Sequence, residues 1–143
     1  MNNDLEVSDS IEINAGISKV WNGLTAPEII KEYLFGTETI TDWKVGSEII
    51  FQGEYQGIKY RDKGIIKEFD LNKKISYSYW SAFTGLEDKP ENYSLVSYKL
   101  DIISEVKTKF TWLQKGFANE QGYEHSKSGM KDLLLKIKET IEK

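Results

Sequence analysis

The chain has 143 residues, about the size of one domain, with a formal net charge of −4 and an acidic pI near 5.1. Cysteine is absent and His125 is the only histidine, which excludes disulfides, thiolate nucleophiles, the usual structural zinc sites and the two-histidine iron triad. The 19 lysine and arginine side chains are scattered among 23 carboxylates, so no basic stripe exists for a phosphate backbone and no nucleic-acid partner is expected.

The first residues, Met1-Asn2-Asn3-Asp4, carry neither a basic nor an apolar leader segment. No run approaches the roughly 20 apolar residues of a membrane span, so no membrane insertion and a cytoplasmic location are expected. Alternation through Leu5, Val7, Ile11 and Ile13 predicts a first strand over Leu5 to Asn14. Asn14-Ala15-Gly16 then turns into a short helix at Ile17 to Leu24, with Val20, Trp21 and Leu24 on its inner face. Thr25-Ala26-Pro27-Glu28 combines a Thr cap, a Pro in the first turn and a Glu three residues later, the pattern of a capping box. It predicts a second helix from Pro27 to Leu34, ended by Gly36.

Strands follow one another from there. Asp42-Trp43-Lys44-Val45-Gly46 separates Thr37 to Thr41 from Glu48 to Tyr55, and Gln56-Gly57 predicts a tight hairpin into Ile58 to Phe69. Asp70-Leu71-Asn72-Lys73 turns into a strand carrying Ile75, Tyr77 and Tyr79 on one face. The longest loop, Glu87 to Asn92, leads to Leu95 to Ile103 and Lys107 to Gln114, which makes about seven strands with the first. A closing helix runs from about Asn119 to Lys143. At 100° per residue, Tyr123, Leu134, Ile137 and Ile141 fall within about 20 to 40° of Met130, and Leu133 about 60° away. Gly122 and Gly129 weaken its first half by up to about 1 kcal/mol each, so a packing, cavity or mobility reason is expected there. The fold class is α+β: one antiparallel sheet with a single face to bury, covered by one long helix, in one domain over residues 1–143.

Seven segments together resemble a known family: Ile13-Asn14-Ala15, Val20-Trp21, Leu24-Thr25-Ala26-Pro27-Glu28, Asp42-Trp43-Lys44-Val45-Gly46, Gly64-Ile65-Ile66-Lys67-Glu68, Thr108-Lys109-Phe110 and Glu124-His125-Ser126-Lys127-Ser128-Gly129. In order and spacing they are similar to the helix-grip superfamily of START-like domains and polyketide cyclases. Within it, the branch is that of the activators of the heat-shock-protein-90 ATPase in single-domain bacterial form. The resemblance implies a curved sheet gripping the last helix, a cavity between them, and a chaperone as a candidate partner. Relatives commonly carry Trp where this chain has Tyr33 and Met130, which implies a different or roomier pocket.

Alternation places Ile49, Phe51, Tyr55, Tyr60, Tyr77, Tyr79, Tyr98, Phe110 and Trp112 on the concave face, opposite Tyr123, Met130 and Leu134, with Tyr33 and Leu34 at one mouth. Of these, Tyr33, Phe51, Tyr60, Tyr77, Tyr79, Tyr98, Phe110, Trp112, Tyr123, Met130 and Leu134 are the candidate ligand-binding residues. The same set could equally form a solid core, since periodicity reports burial and not vacancy. If a pocket exists, it is expected beside Tyr123 to Met130. His125, about 140° from the buried stripe, is expected in solvent. Arg61 alternates outward from Tyr60 and is expected in a surface ion pair. Asp62 and Glu68 share the face of Tyr60 and are the only acid or base candidates, with Gln114 and Trp112 as an inward donor and stacking surface.

Three functions compete on these residues. The first is a noncatalytic module binding a hydrophobic or aromatic small molecule such as a lipid or polyketide, with no cofactor and no metal. The second is a chaperone-binding domain, and the third a cyclase or hydratase using Asp62 or Glu68.

Overall fold

In the computed structural model, which describes residues 1–143, seven strands form one antiparallel sheet. They are β1 (Asn2–Ile13), β2 (Glu38–Ile40), β3 (Glu48–Tyr55), β4 (Ile58–Asp70), β5 (Lys74–Tyr79), β6 (Ser94–Ser104) and β7 (Lys107–Phe117). The helices are α1 (Ile17–Thr25), α2 (Pro27–Tyr33) and α3 (Glu120–Glu142), and two 3-10 turns occupy Ala82–Thr84 and Pro90–Asn92. The spatial order β1-β7-β6-β5-β4-β3-β2 puts the first two strands at opposite edges, so α1 and α2 carry the chain from one edge to the other.

The α3 helix lies mainly on β1 and touches α1, α2 and β7. Its buried residues are Met130, Leu134, Ile137, Thr140 and Ile141; of the stripe the angles predict, Met130, Leu134, Ile137 and Ile141 are buried while Tyr123 and Leu133 are half-buried, and Thr140 lies outside it. Its last turns are tied to the β1–α1 loop. The Asn14 amide donates to Glu142 Oε2 at 2.7 Å, and Lys138 both bridges Glu142 and donates to the Glu12 carbonyl. Gly23 explains how closely α1 can approach: a Cβ there would lie 2.4 Å from Ile141 Cγ1. Gly122 and Gly129 have no such reason, since a Cβ on Gly129 would meet nothing within 4 Å and one on Gly122 only its cap residue.

Local chemistry explains the strand boundaries. Gln56 and Gly57 both adopt positive φ, 50° and 80°, as the primed turns of two-residue hairpins require. Two expectations are corrected. Thr25 does not cap α2: it is the last residue of α1 and its hydroxyl donates back to the Trp21 carbonyl at 2.9 Å, leaving Ala26 at the N-cap position without a side-chain bond. Glu68 does not share the face of Tyr60, because the β4–β5 register shifts between Ile66 and Glu68. The extra residue of this bulge turns Glu68 outward, to Lys74 at 3.1 Å and the Ser76 hydroxyl, and turns Phe69 inward against Trp21 and Trp43.

No helix is long and apolar enough to cross a membrane.

Candidate functional site

The hollow of interest lies on the concave face, with no wall from β1 or α3. It measures about 230 Å³ and is walled by Leu34, Phe35 and Thr37 from the segment after α2, by Phe51, Tyr60 and Asp62 from β3 and β4, by Tyr77 and Tyr79 from β5, and by Val96, Trp112 and Gln114 from β6 and β7. Cross-strand pairing sets these walls. Phe51 lies opposite Asp62, Tyr77 opposite Val96, and Val96 opposite Gln114, so their side chains share one face.

Room for Tyr60 comes from a glycine in the neighbouring strand. Gly53 pairs with Tyr60, and a Cβ on Gly53 would lie 2.6 Å from the Tyr60 hydroxyl, so the ring lies across the bare backbone. That hydroxyl meets Thr37 Oγ1 at 2.5 Å, and the ring packs near Phe83. Gly64 is tighter still, since a Cβ there would fall 1.5 Å from the Ser78 carbonyl oxygen. The close approach draws β5 onto β4, with the Ser78 hydroxyl accepting from the Ile65 amide.

Three polar features stand out in this largely aromatic hollow. Asp62 is only 8% exposed, and its one hydrogen-bond partner is the Tyr79 hydroxyl, which donates to Oδ2 at 2.5 Å. No cationic nitrogen lies within ion-pair distance of it. Burial, and then the Asp62 carboxylate beside it, hold the Tyr79 phenol well above its ordinary pKa, so it remains a donor. Trp112, also 8% exposed, has an indole N–H buried without any partner. Buried donors of this kind are rare in folded proteins because each costs about 1–3 kcal/mol.

Of the candidate residues, Phe51, Tyr60, Tyr77, Tyr79 and Trp112 come together on this hollow. The rest are placed elsewhere. Tyr98, Phe110, Tyr33, Met130 and Leu134 are packed in the core. Tyr98 bonds the Tyr77 hydroxyl at 2.7 Å, and Tyr33 donates to the Gly23 carbonyl. Burial raises the pKa of all three of these tyrosines. Tyr123 meets Phe117 edge to face, with the Lys127 ammonium over its ring. Tyr55, at the β3–β4 hairpin, is 62% exposed.

A second, open cleft runs beside Asn119 to Ser126 and is lined by exposed His125, whereas Tyr123 and Met130, beside which a pocket was expected, do not line it. Tyr79 and Gln114 line both spaces and form the partition between them. Arg61 is exposed, as alternation predicts, but has no carboxylate partner. Thr37, Phe35 and Val96 line the hollow and were absent from the sequence-derived set. Val96 could have been found by stepping two residues back from Tyr98, whereas Thr37 and Phe35 carry no period that marks them. No three His, Cys, Asp or Glu side chains converge to hold a metal ion.

Residues 14–142 match the family described as Activator of Hsp90 ATPase homolog 1-like protein. Among solved structures, the chain is similar to a protein from Cytophaga hutchinsonii, 38% identical with a TM-score of 0.82, over 99% of this chain and 97% of that one. It is similar in fold to an HSP90 activator from Plasmodium falciparum, at 19% identity and a TM-score of 0.70, over 92% and 91% of the two chains. It is likewise similar to a protein of the dynemicin biosynthetic locus, at 14% identity and a TM-score of 0.77, over 97% of this chain and 48% of that one. No curated protein matches it. With the match spanning nearly its whole length on a seven-stranded sheet and long closing helix, the chain belongs to the Activator of Hsp90 ATPase homolog 1-like family and has the helix-grip fold.

Proposed function

We propose that this protein is a small-molecule-binding module whose ligand occupies the hollow between Phe35, Tyr60, Tyr79 and Trp112. The observation that carries this reading is the hollow itself, a largely aromatic space whose wall includes the buried Asp62 carboxylate. A mostly apolar pocket with a few placed polar groups is how binding cavities are built. The volume of about 230 Å³ limits the ligand. A cavity of about 150 Å³ takes up benzene, so this one suits a molecule of one ring with a short substituent and is too small for a long acyl chain.

The test is a two-dimensional NMR titration of the full chain with a panel of single-ring compounds. Saturable shifts are expected at the amides of Tyr60, Asp62, Tyr79 and Trp112, and at the Trp112 indole N–H. A panel that moves none of these signals would remove the reading.

Family membership and the fold shared with the Plasmodium falciparum HSP90 activator favour a second reading, a domain that contacts a chaperone. Purified protein would then raise the ATPase rate of a bacterial Hsp90. An unchanged rate together with no binding in a pull-down counts against it.

A further inference from the structure

Resting on the reading of this hollow as a binding cavity, we propose that its ligand is a small organic cation, a protonated amine carried on a single apolar ring, with the ammonium seated on Asp62. A carboxylate removed from water is costly unless it is paired and hydrogen-bonded. Asp62 is 8% exposed and has only the Tyr79 hydroxyl. The cationic residues beside it in sequence point away from it: Lys63 bridges Asp88, and Arg61 is exposed beside Gln52 and Lys59 without a carboxylate partner. A carboxylate has acceptor sites for several donors, so one bond from Tyr79 leaves capacity for an ammonium group.

The walls point the same way. Phe51, Tyr60, Tyr77, Tyr79 and Trp112 line the space with aromatic rings. Aromatic faces attract cations, and a desolvated ammonium between rings and a carboxylate is the arrangement that recognises amines. An anion would meet the Asp62 charge at short range in a weakly screened interior. A neutral ring would fill the space without answering that charge.

The experiment compares benzylamine, benzyl alcohol and benzoate, which share a ring and differ in charge, by NMR titration of the full chain at neutral pH and low salt. Benzylamine is expected to bind at least about tenfold tighter than benzyl alcohol, as a hydrogen bond to a charged group implies, with benzoate weakest. In Asp62→Asn the advantage of the amine over the alcohol is expected to disappear while the alcohol still binds. If that variant fails to fold, the ranking of the three probes on the unaltered protein decides alone. Alcohol or benzoate binding as tightly as the amine overturns the cation assignment and leaves the cavity reading standing. Absence of saturable shifts from all three overturns both.

Discussion

The two ends of the concave face are made by one sheet and differ in what meets them. Under the second half of α3, Ile13, Val20, Leu24, Phe110, Leu134, Ile137 and Ile141 are all at most 4% exposed, and the hydroxyl of buried Thr108 is satisfied by the Ala15 carbonyl. At the other end, Thr37, Tyr60, Asp62, Tyr79 and Trp112 enclose a space, and the buried polar atoms Thr39 Oγ1 and Trp112 Nε1 have no partner. The cause is reach. The α3 helix packs on β1, α1, α2 and β7, and no α3 residue walls the hollow, which is closed by the segment after α2 instead. One helix can close-pack one end of a curved sheet, and the uncovered end is where function has room.

The most damaging way to break this contrast is to separate β4 from β5, on which both ends depend. Gly64→Ala places a methyl 1.5 Å from the Ser78 carbonyl, a backbone atom that cannot rotate away. Urea denaturation is expected to show a loss of about 3 kcal/mol or more. A midpoint equal to that of the unaltered protein would falsify the close approach.

Next in size comes a matched pair, one change at each end. Leu134→Ala opens a void in the packed half and is expected to cost about 2–5 kcal/mol. Trp112→Phe removes volume but also the unsatisfied N–H, whose relief of about 1–3 kcal/mol offsets the lost packing, so a net change within about 1.5 kcal/mol is expected. Equal losses at the two positions would mean that the ends do not differ in packing.

The same contrast marks how far the residues could be read in advance. Alternation and helical angles report which side a residue faces, so the strands, the α3 stripe and the inward set that includes Phe51, Tyr60, Tyr77, Tyr79 and Trp112 were all legible. They do not report whether a second wall arrives. Tyr98 and Tyr79 have the same pattern, yet one is packed and the other borders a space. The bulge that turns Glu68 outward adds one residue with no glycine or proline to announce it. Thr25 matched a capping box, but its hydroxyl bonds within the helix it ends, and pattern alone does not decide between the two bonds. Gly53 and Gly64 read as weak points of strands, and only the third dimension shows the Tyr60 ring and the Ser78 carbonyl that need them bare.

Alkaline pH probes the comparison through its phenols. Tyr33 and Tyr98 in the packed core, and Tyr77 and Tyr79 at the cavity, all have pKa values raised first by burial. The fold therefore favours the neutral phenol. That contribution is complete below the ordinary value of about 10 and is lost as pH rises above it, because the unfolded chain ionises there and the folded chain does not. Stability is expected to be insensitive to these groups up to about pH 10 and then to fall steeply. Phenolate absorbance from the four should appear with unfolding and not before it. Tyr79→Phe would make the fall shallower by one group.

The smallest expected effect separates the two halves of α3 itself. A glycine inside a helix costs up to about 1 kcal/mol relative to alanine, chiefly through backbone freedom in the unfolded chain. At Gly129 the side chain would be exposed and would meet no atom within 4 Å, so Gly129→Ala is expected to stabilise by up to about that amount. Gly23 in α1 gives the opposite sign for the same chemical change, because its Cβ would strike Ile141 at 2.4 Å and force apart the contact that anchors the end of α3. Thermal melts of the two variants should therefore move in opposite directions. If Gly129→Ala instead lowers the midpoint, the first half of α3 needs the freedom of that glycine, and the helix above the open cleft is held by something other than its own propensity.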